Sequence, residues 1–429
     1  MKSALAAVIL FCAVSAYAIT NDCVHIVFLG DVCCKPQQIS LIEKGGRSYD
    51  EIFASASKLY KHSDYVVANL ETPIAGADLR YSSSSACFNT PIGFAKAAKD
   101  SGISFVTTAN NHSMDRGIAG CGRTLDSLDK IGLEHTGTYR SQGESKAVKV
   151  VEVCGVRIAL VTATYGTNTK YGADILPPDV DWMVDMLKKQ ELPIALQQKH
   201  KNISFLQRVK KKILSAVPGR MRSSLSVLVH GQRPIQYAPK QDYMADCVPR
   251  SEITNTVSLA YLERYLEKIR HAKLVSDVIV ALPHIGGQYN PAPGYYHKFI
   301  VDQSIAAGAD IVIANHAHVP LPIKVTDDGI LIAHALGNFC FTPYVDWFLD
   351  HVFSEYNIVL HIWLDVRSKR LVRYEYEVLK NVVEPDGFAH PVPVPDLLKQ
   401  VNNDYEEERL TVEYEAVRNI VGPSAKNLK

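Results

Sequence analysis

Six short apolar segments in this chain share one habit: each runs into a small polar cluster at its end. Residues 24–29 lead to Gly30-Asp31, 65–68 to Asn69-Leu70-Glu71, and 105–108 to Asn110-Asn111-His112. Residues 275–282 lead to Pro283-His284, 310–314 to Asn315-His316-Ala317-His318, and 330–333 to Leu336-Gly337-Asn338-Phe339. Short apolar runs without polar alternation are strands buried on both faces. Helical patterns lie between them at 49–60, at 91–102 (opened by Pro91, stopped by Gly102) and at 257–269. Segments 148–153 and 156–163 flank the turn Cys154-Gly155, and 356–364 with 371–378 predict a closing hairpin. Such a chain folds as α/β sheets covered by helices, and ligands in these folds gather beyond the carboxyl ends of strands. All the polar clusters fall there.

Each cluster residue has a plain alternative role. Asp31 is a metal ligand or a helix cap, and Glu71 a ligand or a surface carboxylate. Asn111 and His112 follow a third strand. His316 and His318, two residues apart on extended backbone, would point to the same side, and His284 adds a third imidazole. An oxygen and nitrogen donor set without thiolates suits one or two divalent ions, Mn, Fe or Zn. A carboxylate can bridge two ions about 3.5–4 Å apart, as in two-metal hydrolysis, and a free histidine can protonate the leaving group. Asp115 orients His112 or caps the helix that begins at Gly117. Arg116 binds an anionic substrate or is solvated. Asn110 and Asn338 donate hydrogen bonds to substrate or serve as turn residues. Cys33 and Cys34 beside Asp31 read as structural or disulfide-forming.

Composition narrows the class. With 429 residues, 47% apolar and a formal net charge of +1, the chain has material for one large or two medium cores, and nucleic acid is not expected as a partner. Lys2, the apolar run 5–14 and Ala16-Tyr17-Ala18 read as a signal peptide cut after Ala18, too short to span a bilayer. The mature protein is therefore expected to be secreted or extracytoplasmic. Cleavage leaves eight cysteines, an even number that permits disulfides. Periodicity weakens over about 167–253. Residues 192–241 contain no Asp or Glu but ten Lys and Arg, with Ile203, Leu206, Val209 and Ile213 on one helical face. This reads as a basic helical insertion, a cap or lid, or else as a solvated surface helix.

In this order, the motifs resemble the bacterial capsule synthesis protein CapA family, also called the poly-γ-glutamate biosynthesis family, whose domain is similar to calcineurin-like dinuclear metallophosphatases. The matching pieces are Gly30-Asp31, Asn69-Leu70-Glu71, Ala109 to His112 with Asp115 and Gly117, Pro283-His284 with Gly286 and Tyr289, Gly308-Ala309-Asp310, His316 to Val319 and Leu336 to Phe339. The resemblance implies a four-layer α/β/β/α metallophosphatase-like sandwich over residues 19–385, with 386–429 as a C-terminal tail. It implies that Asp31, Glu71, Asn111, His284, His316 and His318 hold the metal and that His112 is the acid. Cys33 stands where metallophosphatases carry a histidine. Ile285 and Gln288 stand where the family often has Trp and Glu, and Asn315 and Ala317 where it commonly has His and Pro. The function implied is an exported, metal-dependent protein in the synthesis, anchoring or cleavage of poly-γ-glutamate or a related capsule polymer, alongside membrane-bound synthase partners. Two other readings are a secreted metallophosphoesterase with a phosphoester substrate and a non-catalytic accessory protein that binds the anionic polymer.

Overall fold

The computed structural model describes residues 23–83, 87–171, 175–190, 248, 250–341, 353–426 and 428. The signal segment and the acid-free basic stretch lie outside the described residues.

The expected strands form, and they sort into two sheets. The first contains β1 (Cys23–Val32), β2 (Tyr65–Leu70), β3 (Phe105–Thr107) and β4 (Glu134–Thr136). Strands β5 (Lys149–Val153), β6 (Val156–Thr164), β7 (Val278–His284), β8 (Ile311–Ile313), β9 (Ile323–Val325) and β10 (Leu331–Ala333) make the second. The chain then returns to the first sheet through β11 (Tyr356–Asp365), β12 (Leu371–Val383), β13 (Ala389–Pro393) and β14 (Ala425–Lys426). The orders are β13-β12-β11-β1-β2-β3-β4, with β14 on β12, and β5-β6-β7-β8-β10-β9. Strands β1 to β4 run parallel, as do β6, β7, β8 and β10. The carboxyl ends that carry the polar clusters therefore collect on one side of each sheet.

Side-chain alternation along the strands builds the layers. Ile26 and Phe28 of β1 point between the sheets and meet Val280 and Leu282 of β7 in a shared core. Val27 and Leu29 point outward against α1 (Pro36–Glu43), α2 (Tyr49–Ser57) and α3 (Ile92–Asp100). On the far side, Ile279 and Ala281 pack against α6 (Thr256–Val275) and α7 (Tyr295–Ala307). Helices α4 (Gly117–Ile131) and α5 (Gln142–Lys146) lie between those groups in the chain. The result is the expected four-layer α/β/β/α sandwich. Local signals set the ends. Ser48 and Glu51 form a capping box on α2, and Cys154 and Gly155 both take positive φ, the geometry of a two-residue hairpin.

Residues 386–429 do not stand apart as a tail. They supply β13 and β14 to the first sheet, α8 (Val394–Leu398) and α9 (Asp404–Val421), and Leu410, Val417 and Val421 of α9 join the inter-sheet core. No helix among the described residues is long and apolar enough to cross a membrane.

The two sheets are tied together beneath the polar clusters. Asp31 N–H donates to Gly337 O at 3.0 Å, and Phe339 N–H donates back to Asp31 O at 2.8 Å. A β-carbon on Gly30 would lie 2.0 Å from Gly337 O, so this approach requires glycine. The β1/β2 register shifts between Phe28 and Asp31, a bulge that re-aims the Asp31 side chain.

Candidate metal centre

The clusters from six strand ends converge on Glu71. Two groups of three buried side chains present ligand atoms within 4.8 Å of one another: Glu71 with His284 and His316, and Asp31 with Glu71 and His318. Glu71 belongs to both. Its residue is 1% exposed, yet neither carboxylate oxygen has a hydrogen-bond partner of ordinary geometry among the described residues. The nearest imidazole nitrogens to Oε1 are His284 Nε2 at 3.4 Å and His318 Nε2 at 3.7 Å. Burial works against its negative charge, but the charge of His318 and the contact with His284 outweigh that and hold its pKa below the usual carboxylate range. For His318, burial acts to lower the pKa, but Glu71 and Asp31 raise it. Two buried carboxylate oxygens without hydrogen-bond donors cost several kcal/mol unless a cation meets them. The oxygen and nitrogen donors around them fit a divalent metal, and the identity of that metal does not follow from their geometry.

Hydrogen bonds hold the donors in place. Asn69 Nδ2 donates to Asp31 Oδ1 at 2.7 Å and lies 3.2 Å from His284 Nδ1. Asn69 Oδ1 accepts from Thr107 at 3.0 Å and from Asn110 Nδ2 at 3.2 Å. His284 Nε2 is 2.8 Å from Asn111 Oδ1, which brings Asn111 to the group of Glu71, His284 and His316. His318 Nδ1 is 2.7 Å from Asn338 Oδ1 and 3.4 Å from Asp31 Oδ2. Such partners fix which ring atom faces a metal.

The backbone at the paired histidines departs from expectation. It is not extended: His316 has φ 95° and His318 φ 57°, and their ring centroids are 5.5 Å apart. A tight loop, with Asp31 Oδ2 accepting the His316 N–H at 3.2 Å, brings both rings to Glu71. Left-handed backbone at two non-glycine residues costs free energy that the surrounding contacts must offset.

Beside this centre His112 Nδ1 is 2.6 Å from Asp115 Oδ2, which also accepts the Phe88 N–H at 2.6 Å. Asp115 thus orients His112, the first of the two roles open to it. The anionic partner places the proton on Nδ1 and leaves Nε2 for external chemistry.

The expected substrate contacts fare differently. Asn110 is engaged inside the protein: Nδ2 donates to Asn69 Oδ1 and to Leu70 O at 2.8 Å, and Oδ1 accepts the His112 N–H at 3.1 Å. Asn338 Nδ2 donates to the carbonyls of His318 and Ser354, both at 3.3 Å. The Arg116 guanidinium donates to the carbonyls of Arg80, Asp115 and Cys87. These three residues brace the loops around the site. Cys33 is buried against Phe88 and Phe341 and belongs to neither metal group; burial pushes its thiol pKa well up. No disulfide joins the described cysteines.

Sequence reasoning assigned no role to Asn69, although it lies two residues before Glu71 in the same motif. It also missed Asn168, whose Nδ2 is 3.1 Å from His112 Nδ1 and whose Oδ1 accepts from Asn111 at 3.2 Å. Gln288 Nε2 lies 3.2 Å from His318 Nε2.

Fold and site together define a class: a two-sheet α/β sandwich with a buried carboxylate and imidazole donor set, compatible with metal, at the strand ends. A family model described as bacterial capsule synthesis protein PGA_cap matches residues 25–343, and the chain belongs to that family. It is 23% identical over 324 residues to the PGA biosynthesis protein CapA of Bacillus subtilis (strain 168), a match covering 75% of this chain and 64% of that protein. It is 21% identical over 325 residues to the capsule biosynthesis protein CapA of Bacillus anthracis, covering 75% of this chain and 60% of that one. The chain thus matches less than two thirds of the length of these relatives. A solved structure of a phosphatase from Mycoplasma pneumoniae aligns with 90% of this chain and 99% of its own at 12% identity and TM-score 0.36.

Proposed function

We propose that this chain is an exported, metal-dependent hydrolase that acts on the amide backbone of poly-γ-glutamate or a related anionic capsule polymer. The observation that carries the reading is Glu71, shared by two donor groups with both oxygens bare of hydrogen bonds. Family membership and the names of the two CapA relatives support the polymer. Lys2, the apolar run after it and Ala16-Tyr17-Ala18 support export.

Asp31, Glu71 and His318 would hold one ion, and Glu71, Asn111, His284 and His316 a second. A divalent ion held there would supply Lewis-acid polarisation of a scissile carbonyl. His112, oriented by Asp115, donates the proton that the departing amine needs as the C–N bond breaks. Water supplies the new hydroxyl and its other proton restores His112, so the products are a carboxylate and an ammonium group.

The test combines metal analysis with polymer chain length. Protein loaded with Mn²⁺ or Zn²⁺ should shorten poly-γ-glutamate on gel filtration, and Glu71→Gln should lose both metal and activity. Hydrolysis of p-nitrophenyl phosphodiesters with no effect on the polymer would replace this reading with a phosphoesterase. Purified protein that takes up no metal would overturn catalysis altogether. An export assay with N-terminal sequencing should find the mature chain beginning at Ile19.

A further inference from the structure

Beyond Thr164, the last residue of β6, the chain is pinned to both halves of the site. Tyr165 N–H donates to His284 O at 3.1 Å, and Asn168 N–H donates to Asn111 O at 2.8 Å. The Thr167 hydroxyl between them accepts from Gln190 Nε2 at 2.6 Å. Asn168 opens a one-turn helix, Asn168–Tyr171, and is 3% exposed. These bonds fix where its side chain starts, and burial denies that side chain bulk water. A buried amide must find its partners inside the protein, and this one finds them on both sides.

The orientation of the amide follows from Asp115. A carboxylate only accepts, so the atom 3.5 Å from Asp115 Oδ1 is the nitrogen, Asn168 Nδ2. The same nitrogen lies 3.1 Å from His112 Nδ1, whose own proton goes to Asp115 Oδ2 at 2.6 Å. Asn168 Oδ1 is then left to accept from Asn111 Nδ2 at 3.2 Å. That bond decides the other end of Asn111. Its Oδ1 must face His284 Nε2, at 2.8 Å, on the side of the group of Glu71, His284 and His316. A side-chain amide ligates a divalent ion through its oxygen. Turned over, Asn111 would offer that group an N–H and no lone pair. A line of contacts therefore runs from the metal group through Asn111, Asn168 and Asp115 to His112.

We propose that Asn168 is a positioning residue that couples the two halves of the site, its Oδ1 turning the oxygen of Asn111 to the metal group and its Nδ2 steadying Asp115 beneath the proton donor His112. The roles given to the metal group and to His112 rest on the hydrolase reading above. The orientation of the three side chains rests on their hydrogen bonds alone.

The test pairs chelator competition for Mn²⁺ or Zn²⁺ with steady-state kinetics, on whichever of poly-γ-glutamate and the p-nitrophenyl phosphodiesters the wild type hydrolyses. Asn168→Ala should bind metal about tenfold more weakly and, at saturating metal, lower kcat about tenfold with KM unchanged. Asn168→Leu, which keeps the volume, should behave in the same way. Asn168→Asp keeps an oxygen for Asn111 Nδ2 and should recover the metal affinity. After Asn111→Ala, removing the Asn168 amide should cost no further affinity, and after Asp115→Asn no further kcat. Losses that add in either background overturn the proposal. So does wild-type metal affinity in a folded Asn168→Ala or Asn168→Leu protein, or an Asn168→Asp protein as weak as these. The two failures separate. Additive losses with hydrolysis intact remove the role of Asn168 and leave the hydrolase. An affinity loss absorbed by Asn111→Ala, without hydrolysis of either substrate, removes the hydrolase and leaves Asn168 positioning the metal group.

Discussion

The Nδ1–H of His318 donates a hydrogen bond to Oδ1 of Asn338, at 2.7 Å. The direction follows from the rest of the amide: Nδ2 of Asn338 faces the carbonyls of His318 and Ser354, which can only accept. Oδ1 must therefore face the ring, the ring must donate from Nδ1, and Nε2 is the ring atom turned toward Glu71. Asn338→Ala removes this orientation. Metal affinity should fall about 10–100-fold in a chelator competition. Unchanged affinity would mean that Asp31 alone sets the tautomer.

Asp115 does for His112 what Asn338 does for His318, with a full charge. Asp115→Asn should lower kcat about 10²–10⁴-fold while metal content stays at the wild-type level. Steady-state kinetics with metal analysis on the same sample checks both. A loss of metal in step with activity would make the dyad structural.

Close backbone approach makes Gly30 irreplaceable. Gly30→Ala puts a methyl group 2.0 Å from a carbonyl oxygen, and the sheets would have to part to admit it. Stability should fall by about 3 kcal/mol or more in urea unfolding. Gly122, inside α4, is the control, because a methyl group added there would meet nothing within 4 Å. Gly122→Ala should stabilise by about 0.5–1 kcal/mol. Equal effects at the two sites would remove the argument from close approach.

Buried histidines away from the metal groups set an acid limit. Burial and the charge of His334 hold His297 at about 3, burial and nearby lysines hold His334 at about 4, and burial and His25 hold His361 at about 4. The unfolded chain takes up these protons near pH 6.5, whereas the folded chain resists until about 3–4. Between those values the unfolded state binds more protons, so stability falls as pH falls, by about 1.4 kcal/mol per unit for each histidine. His361→Leu should flatten that slope by roughly one such increment between pH 6 and 4.5, in urea titrations of chelator-treated protein. Parallel slopes for variant and wild type would exclude His361 as a source.

The strands and five of the candidate ligand positions were legible because Asp31, Glu71, His284, His316 and His318 each punctuate an apolar run. A polar residue at such a boundary has left the core periodicity, and that is visible in one dimension. The partners of Asn110, Asn338 and Arg116 were not visible, since they depend on which loop carbonyls lie opposite once both sheets have closed. Asn168 falls in a stretch without periodicity, and nothing local marks it. The paired histidines were found, but with the wrong backbone. Their left-handed φ values go with a tight loop whose His316 N–H reaches Asp31, a contact across 285 residues of chain.

The place of β1 in its sheet has a consequence for how the molecule is made. Cys23 faces Asp365 across the β1/β11 ladder, so β1 waits for a strand that follows the whole second sheet. Until β11 arrives, β1 keeps a bare edge, and every strand of the second sheet is delivered in the interval. Such long-range pairing is slow and leaves the growing chain open to mispairing. Asp31 meets His316 and Gly337 only after the C-terminal strands are in hand. A centre able to hold an ion would therefore await β11, and a protein truncated before Tyr356 should have every candidate ligand and no centre.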